Sequence, residues 1–118
     1  MKPSFQYLTL LVEKDVLEVV SSWYIRHFLF DKVWESSAFL LLSGDEGAQL
    51  GFHVGKSLSE PHQIQIHLQV ENVDDAYSRL EAEGLEFVSA PKDTDWGFRV
   101  AETRDPAGHI VEIYSEIE

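Results

Sequence analysis

From Tyr7 the chain alternates, with Leu8, Leu10 and Val12 on one side and Tyr7, Thr9 and Leu11 on the other. That period of two predicts a strand whose first set of residues faces a core. Asp15 followed by Glu18 has the form of a capping box, and Val16, Val19, Val20, Trp23, Tyr24, His27 and Phe28 then recur at helical spacing. An amphipathic helix ending near Phe28 follows. FDKVWES, AFLLLS and AQLGFHV are three short apolar or alternating runs, the last two separated by a turn at Gly44 to Gly47, and they predict an antiparallel meander.

The same order then repeats. QIQIHLQV, Gln63 to Val70, alternates without a break and predicts a strand with Gln65, His67 and Gln69 on one face. A helix follows from an Asn72 cap through Val73, Ala76, Tyr77 and Leu80 to a stop at Gly84, and LEFVS, GFRVAETR and HIVEIYS read as three more strands. YLTLLVEKDVLEVV and QIHLQVENVDDAYS align with each other, as do GAQLGFHV and AGHIVEIYS, so the chain is an internal duplication. Residues 1–118 read as one α+β domain made of two βαβββ repeats, 1–58 and 63–118, joined by a linker near 56–62. A repeat with one helix covers only one face of its sheet, so the two mixed sheets are expected to pair around a groove lined by their uncovered faces.

Composition narrows the function. Nine Lys and Arg against 21 Asp and Glu give a net charge of -12, a field that repels phosphate backbones and anionic membranes, so neither nucleic acid nor a membrane is an expected partner. The chain contains no cysteine, which removes disulfides, thiolate metal sites and thiol nucleophiles. No stretch has the layout of a signal peptide or the length of a membrane span, and a cytoplasmic location is expected.

HIVEIYS places Val111 and Ile113 toward the helix and Ile110, Glu112 and Tyr114 toward the groove, where a carboxylate requires a partner. No second groove-facing carboxylate is evident. His27 is expected to serve the helix C-terminus, His62 lies in the linker, and His109 is expected on the outward side of a turn. Trp23 and Trp34 read as core or interface aromatics. Trp96 lies in a polar loop, DTDWGFR, where alternation does not demand an indole, so it is either a stacking surface or a cap on the sheet edge.

The repeated βαβββ order, VENVDDAYSRLEAEGLEF, and above all DTDWGFRVAETRDPAGHIVEIYS resemble the vicinal oxygen chelate superfamily of glyoxalase I, bleomycin-resistance proteins and extradiol dioxygenases. The Trp96-Gly97 pair ahead of the DPAG turn is most similar to the bleomycin-resistance group, in which the corresponding indole lines the ligand groove. The resemblance implies a homodimer and a metal held by four strand positions, which fall here on Tyr7, Gly51, Gln65 and Glu112. Only Glu112 is a strong ligand: Gly51 has no side chain, Tyr7 binds metal only as a phenolate, and Gln65 is a neutral donor. Where the family closes its first helix on Leu-Gly-Phe, this chain has Leu29 in place of the glycine, so a different turn is expected.

Two functions fit. The first is a metal-free protein without a cofactor that sequesters a planar or cationic small molecule, drug or metabolite, with a groove lined by Tyr7, Thr9, Gln49, His53, Gln65, His67, Trp96, Glu112 and Tyr114. The alternative is a divergent lyase, isomerase or dioxygenase in which His53, His67 and Glu112 hold one divalent metal ion.

Overall fold

The computed structural model of the protein describes residues 1–117. Two compact units divide the chain, Met1–Ser59 and a second beginning at Glu60, and each contains one helix on a four-stranded sheet.

In the first unit β1 (Leu8–Val12) leads into α1 (Leu17–Phe28), and β2 (Asp31–Glu35), β3 (Phe39–Ser43) and β4 (Gln49–Val54) complete a sheet of order β1-β4-β3-β2. The β2, β3 and β4 strands form the expected antiparallel meander, and β4 returns to pair in parallel with β1. The helix buries Leu17, Val20, Ser21, Tyr24 and His27. Against this stripe lie Leu10, Val12, Leu40, Leu42 and Phe52, all buried. Leu8 keeps the strand phase but is 52% exposed, so the covered face begins at Leu10. Asp15 does not cap the helix: the capping position is Val16, without a side-chain hydrogen bond, and the buried stripe runs one residue later than Val16 and Val19 suggest. Glu18 still places negative charge in the first turn, where the helix dipole favours it.

Leu29 corrects the expectation of a different turn. It adopts the left-handed conformation itself, φ 58 and ψ 30. Its amide donates to the Ile25 carbonyl at 3.1 Å, the single bond of the left-handed cap that a glycine usually closes, and the Phe30 amide reaches back to the Tyr24 carbonyl at 3.4 Å. The Phe30 ring lies 5.6 Å from that of the fully buried Tyr24, so packing beyond the turn holds a leucine in a conformation it disfavours.

The second unit repeats the plan with β5 (Gln65–Gln69), α2 (Val73–Ala82), β6 (Phe87–Asp93), β7 (Phe98–Arg104) and β8 (Ile110–Glu116), in the order β5-β8-β7-β6. Here the sequence signals hold at both helix ends. Asn72 accepts a bond from the Asp75 amide at 2.9 Å, and Gly84 takes φ 97 just beyond the C-terminus. Ser115 on β8 accepts from the Val73 amide at 3.1 Å, pinning the start of α2 to the sheet. Arg99 donates to Asp74 at 3.0 Å and to Asp93 at 3.0 Å, so its guanidinium holds its proton still more firmly, first through Asp74 and then through Asp93.

His109 is not on the outside of its turn. It is 2% exposed, with Nδ1 2.8 Å from Asp105 Oδ2, while Asp105 Oδ1 accepts from the Ala107 and His109 amides at 2.9 and 3.0 Å. The Asp-Pro-Ala-Gly-His segment is thus a turn closed around one buried carboxylate. Gly108, at φ 92, passes so close to Pro61 that a Cβ would stand 2.8 Å from the proline ring.

Two stability measurements test these turns. Leu29→Gly is expected to raise stability by about 1 kcal/mol, read as a higher urea midpoint at unchanged slope, because the left-handed strain disappears. Asp105→Ala is expected to lower it by about 3 kcal/mol, because it strips a buried histidine and two amides of their acceptor.

Candidate functional site

Each sheet has one face covered by its helix, and the strand residues selected from the sequence lie on the other. In the first unit, Thr9 and Gly51 are register partners on β1 and β4, with Gln49 and His53 two residues to either side of Gly51 on the same face. Phe39 on β3 fills the middle of this face, its ring 6.2 Å from Tyr7 and 6.0 Å from His53. His53 Nδ1 donates to its neighbour's carbonyl, Val54 O, at 2.8 Å, which leaves Nε2 directed elsewhere. Tyr7, Thr9, Gln49 and His53 therefore share one surface around Phe39.

In the second unit β5 and β8 are parallel, and the register sets His67 beside Glu112 and Gln69 beside Tyr114. His67 Nδ1 stands 3.3 Å from Glu112 Oε1, so the partner that Glu112 requires is the histidine of QIQIHLQV. Gln65 is opposite Ile110, one pleat back on the same face. The Tyr114 ring meets His67 edge-on at 6.5 Å and Phe98 edge-on at 5.3 Å. Trp96 lies apart from this row, 64% exposed in the turn between β6 and β7, with Gly97 beside it at φ 93. The Gly97 carbonyl accepts from the Ile117 amide at 3.1 Å, which ties that turn to the end of β8.

The residue that sequence reading missed is Glu102. On β7 it is the direct register partner of Glu112, so two carboxylates stand side by side on the uncovered face, contrary to the expectation of only one. Like charges in that position repel unless something neutralises them. Arg104 Nη2 donates to Glu102 Oε2 at 3.2 Å, and His67 flanks Glu112 on the other side. The signal was present in GFRVAETR, where the buried Ala101 and Thr103 put Glu102 on the opposite face. The row of His67, Glu112, Glu102 and Arg104 sets two carboxylates against one guanidinium. It lies in the more acidic part of the chain: residues 1–59 carry five Lys and Arg against seven Asp and Glu, residues 60–118 four against fourteen.

A family model described as the Glyoxalase/Bleomycin resistance protein/Dioxygenase superfamily matches residues 10–113. The chain belongs to this superfamily. It is 35% identical over 107 residues to the uncharacterized protein YraH of Bacillus subtilis (strain 168), a match spanning 86% of this chain and 82% of that one. Among solved structures it is similar to TnmS3, an antibiotic binding protein from Streptomyces sp. CB03234, with a TM-score of 0.81 and 22% identity over 99% of each chain. It is also similar to the fosfomycin resistance protein FosX from Listeria monocytogenes, solved with Mn(II) and sulfate ion, with a TM-score of 0.79 and 21% identity over 99% of this chain and 93% of that one. At such identities these two likenesses are of fold.

The superfamily's four metal positions do not make a ligand set here. A Cβ added at Gly51 would stand 3.0 Å from Thr9 Oγ1 and 3.4 Å from the Phe39 ring, so the space a ligating side chain would need is already filled. Gln65 and Glu112 alone supply one neutral and one anionic oxygen donor, too few for a tight site. Of the alternative set, His67 and Glu112 are together in the second unit and His53 belongs to the first. Among the described residues no group of three or more His, Asp or Glu side chains is arranged to hold a metal ion.

If the row serves a ligand rather than the fold, its loss must be cheap. With His67 half exposed, His67→Ala is expected to change unfolding free energy by less than about 1 kcal/mol, checked by urea denaturation.

Proposed function

We propose that the chain is a metal-free small-molecule-binding protein of the superfamily that sequesters a cationic, planar compound, either a drug or a metabolite. The observation that carries this reading is the Glu102–Glu112 pair across β7 and β8. A bound cation would relieve the repulsion between the two carboxylates, while Tyr114 and Phe98 offer ring surfaces beside them. Gln65 and His67 would supply hydrogen bonds, and Trp96 an exposed indole for stacking. Tyr7, Thr9, Gln49 and His53 are proposed as a ligand-binding surface of the first unit's own sheet. The antibiotic-binding activity of TnmS3 gives the fold a precedent for this role.

Among the described residues no helix is long and apolar enough to cross a membrane. A cysteine-free chain suits the cytoplasm, where we place it. We also propose a homodimer: β2 is exposed along its whole length at the edge of its sheet and carries Val33 and Trp34, an edge that a second copy would cover. Light scattering at micromolar concentration is expected to give twice the chain mass.

Isothermal titration with bleomycin and with ethidium tests the ligand class. Binding is expected to weaken as salt rises, and to fall about tenfold or more in Glu112→Gln and in Glu102→Gln, since a charge-assisted contact is lost. Unchanged binding in both variants would remove the carboxylate pair from the site. Metal analysis of protein prepared without chelators is expected to find no stoichiometric ion. One divalent ion per chain, lost in His67→Ala, would instead establish the metal-dependent lyase, isomerase or dioxygenase with His53, His67 and Glu112.

A further inference from the structure

The first unit also has a concavity away from the uncovered face of its sheet. It is a cavity of about 790 Å³ between one stripe of α1 and the β2–β3 hairpin, on the helix side of the sheet. That volume is within the range of small-ligand sites, roughly 300–1,000 Å³.

Its lining is unlike the rest of this acidic chain. Lys14, Arg26 and Lys32 border it, a third of the nine basic residues in the protein. Lys32 is occupied by Glu35 at 2.8 Å. At the N-terminal end Lys14 and Glu18 carry opposite charges, with no ion pair between them among the described residues. Arg26, in the last turn of α1, has no carboxylate within ion-pair range among the described residues. Between the two ends lie Leu17, Ile25 and Leu40, with the hydroxyls of Ser22 and Ser37 at the rim.

We propose that this cleft is a second binding site, for a small organic anion. A carboxylate or phosphate-ester head group would sit on the Arg26 guanidinium, whose planar fork matches two acceptor oxygens. An apolar body would lie along Leu17, Ile25 and Leu40. The protein's overall field opposes anions, so selectivity must come from this local arrangement. The site is independent of the cation-binding face proposed above and takes a ligand of opposite charge.

The test is a titration of isotopically labelled protein with octyl phosphate below its micelle concentration, followed by amide chemical shifts. Saturable shifts are expected from Leu17 to Leu40. Arg26→Ala, an exposed position whose loss leaves the fold intact by circular dichroism, is expected to weaken binding about tenfold, with Arg26→Lys recovering part of it and Glu112→Gln leaving it unchanged. The proposal is overturned if no amide in that segment shifts, or if octyltrimethylammonium binds there equally well. It is also overturned if vesicles of phosphatidylglycerol bind through Arg26 while monomeric octyl phosphate does not.

Discussion

One helix cannot seal both faces of a four-stranded sheet, and the distribution of residues in this chain follows from that constraint. In each unit the helix covers an apolar face of the sheet: Leu10, Val12 and Phe52 in the first, Ala101, Val111 and Ile113 in the second. What alternates with them is left on the uncovered face, and there the chain places Thr9, Gln49 and His53, or His67, Glu102 and Glu112. Folding and the proposed binding therefore use opposite faces of the same strands. The exposed positions of the uncovered face, His67 among them, carry little of the fold's burial and are open to chemical specialisation.

Strand pairing turns this division into a candidate site. The parallel pairing of β5 with β8 brings His67 to Glu112, and the antiparallel pairing of β7 with β8 brings Glu102 to the same residue from the other side. Glu112 is thus the meeting point of three strands. A lone carboxylate there would be a modest feature, whereas two in register concentrate charge that Arg104 only partly offsets. The first unit has taken another course at the corresponding place: Gly51 makes room for Phe39, and an aromatic surface stands where the superfamily would carry a metal ligand.

Much of this was legible in the amino-acid order. Period-two alternation and the internal duplication placed eight strands and two helices in the right order, and Asn72 and Gly84 marked the second helix because their side-chain chemistry is local. The departures have physical causes of longer reach. Asp15 has the right spacing to cap, but the chain turns into the helix one residue later. Leu29 occupies a glycine's conformation because Phe30 packs back on Tyr24, a contact no local pattern reveals. His109 is buried because Asp105 closes the turn around it. Glu102 was visible as a face but not as a neighbour, since only strand register sets it opposite Glu112.

The central claim is that the carboxylate row of the second sheet receives a cationic ligand, and amide chemical-shift mapping with a planar cation such as ethidium tests it most directly. The account predicts saturable shifts centred on His67, Glu102, Glu112 and Tyr114. Shifts confined to residues outside β5, β7 and β8, or none at concentrations where the cation binds, would contradict it.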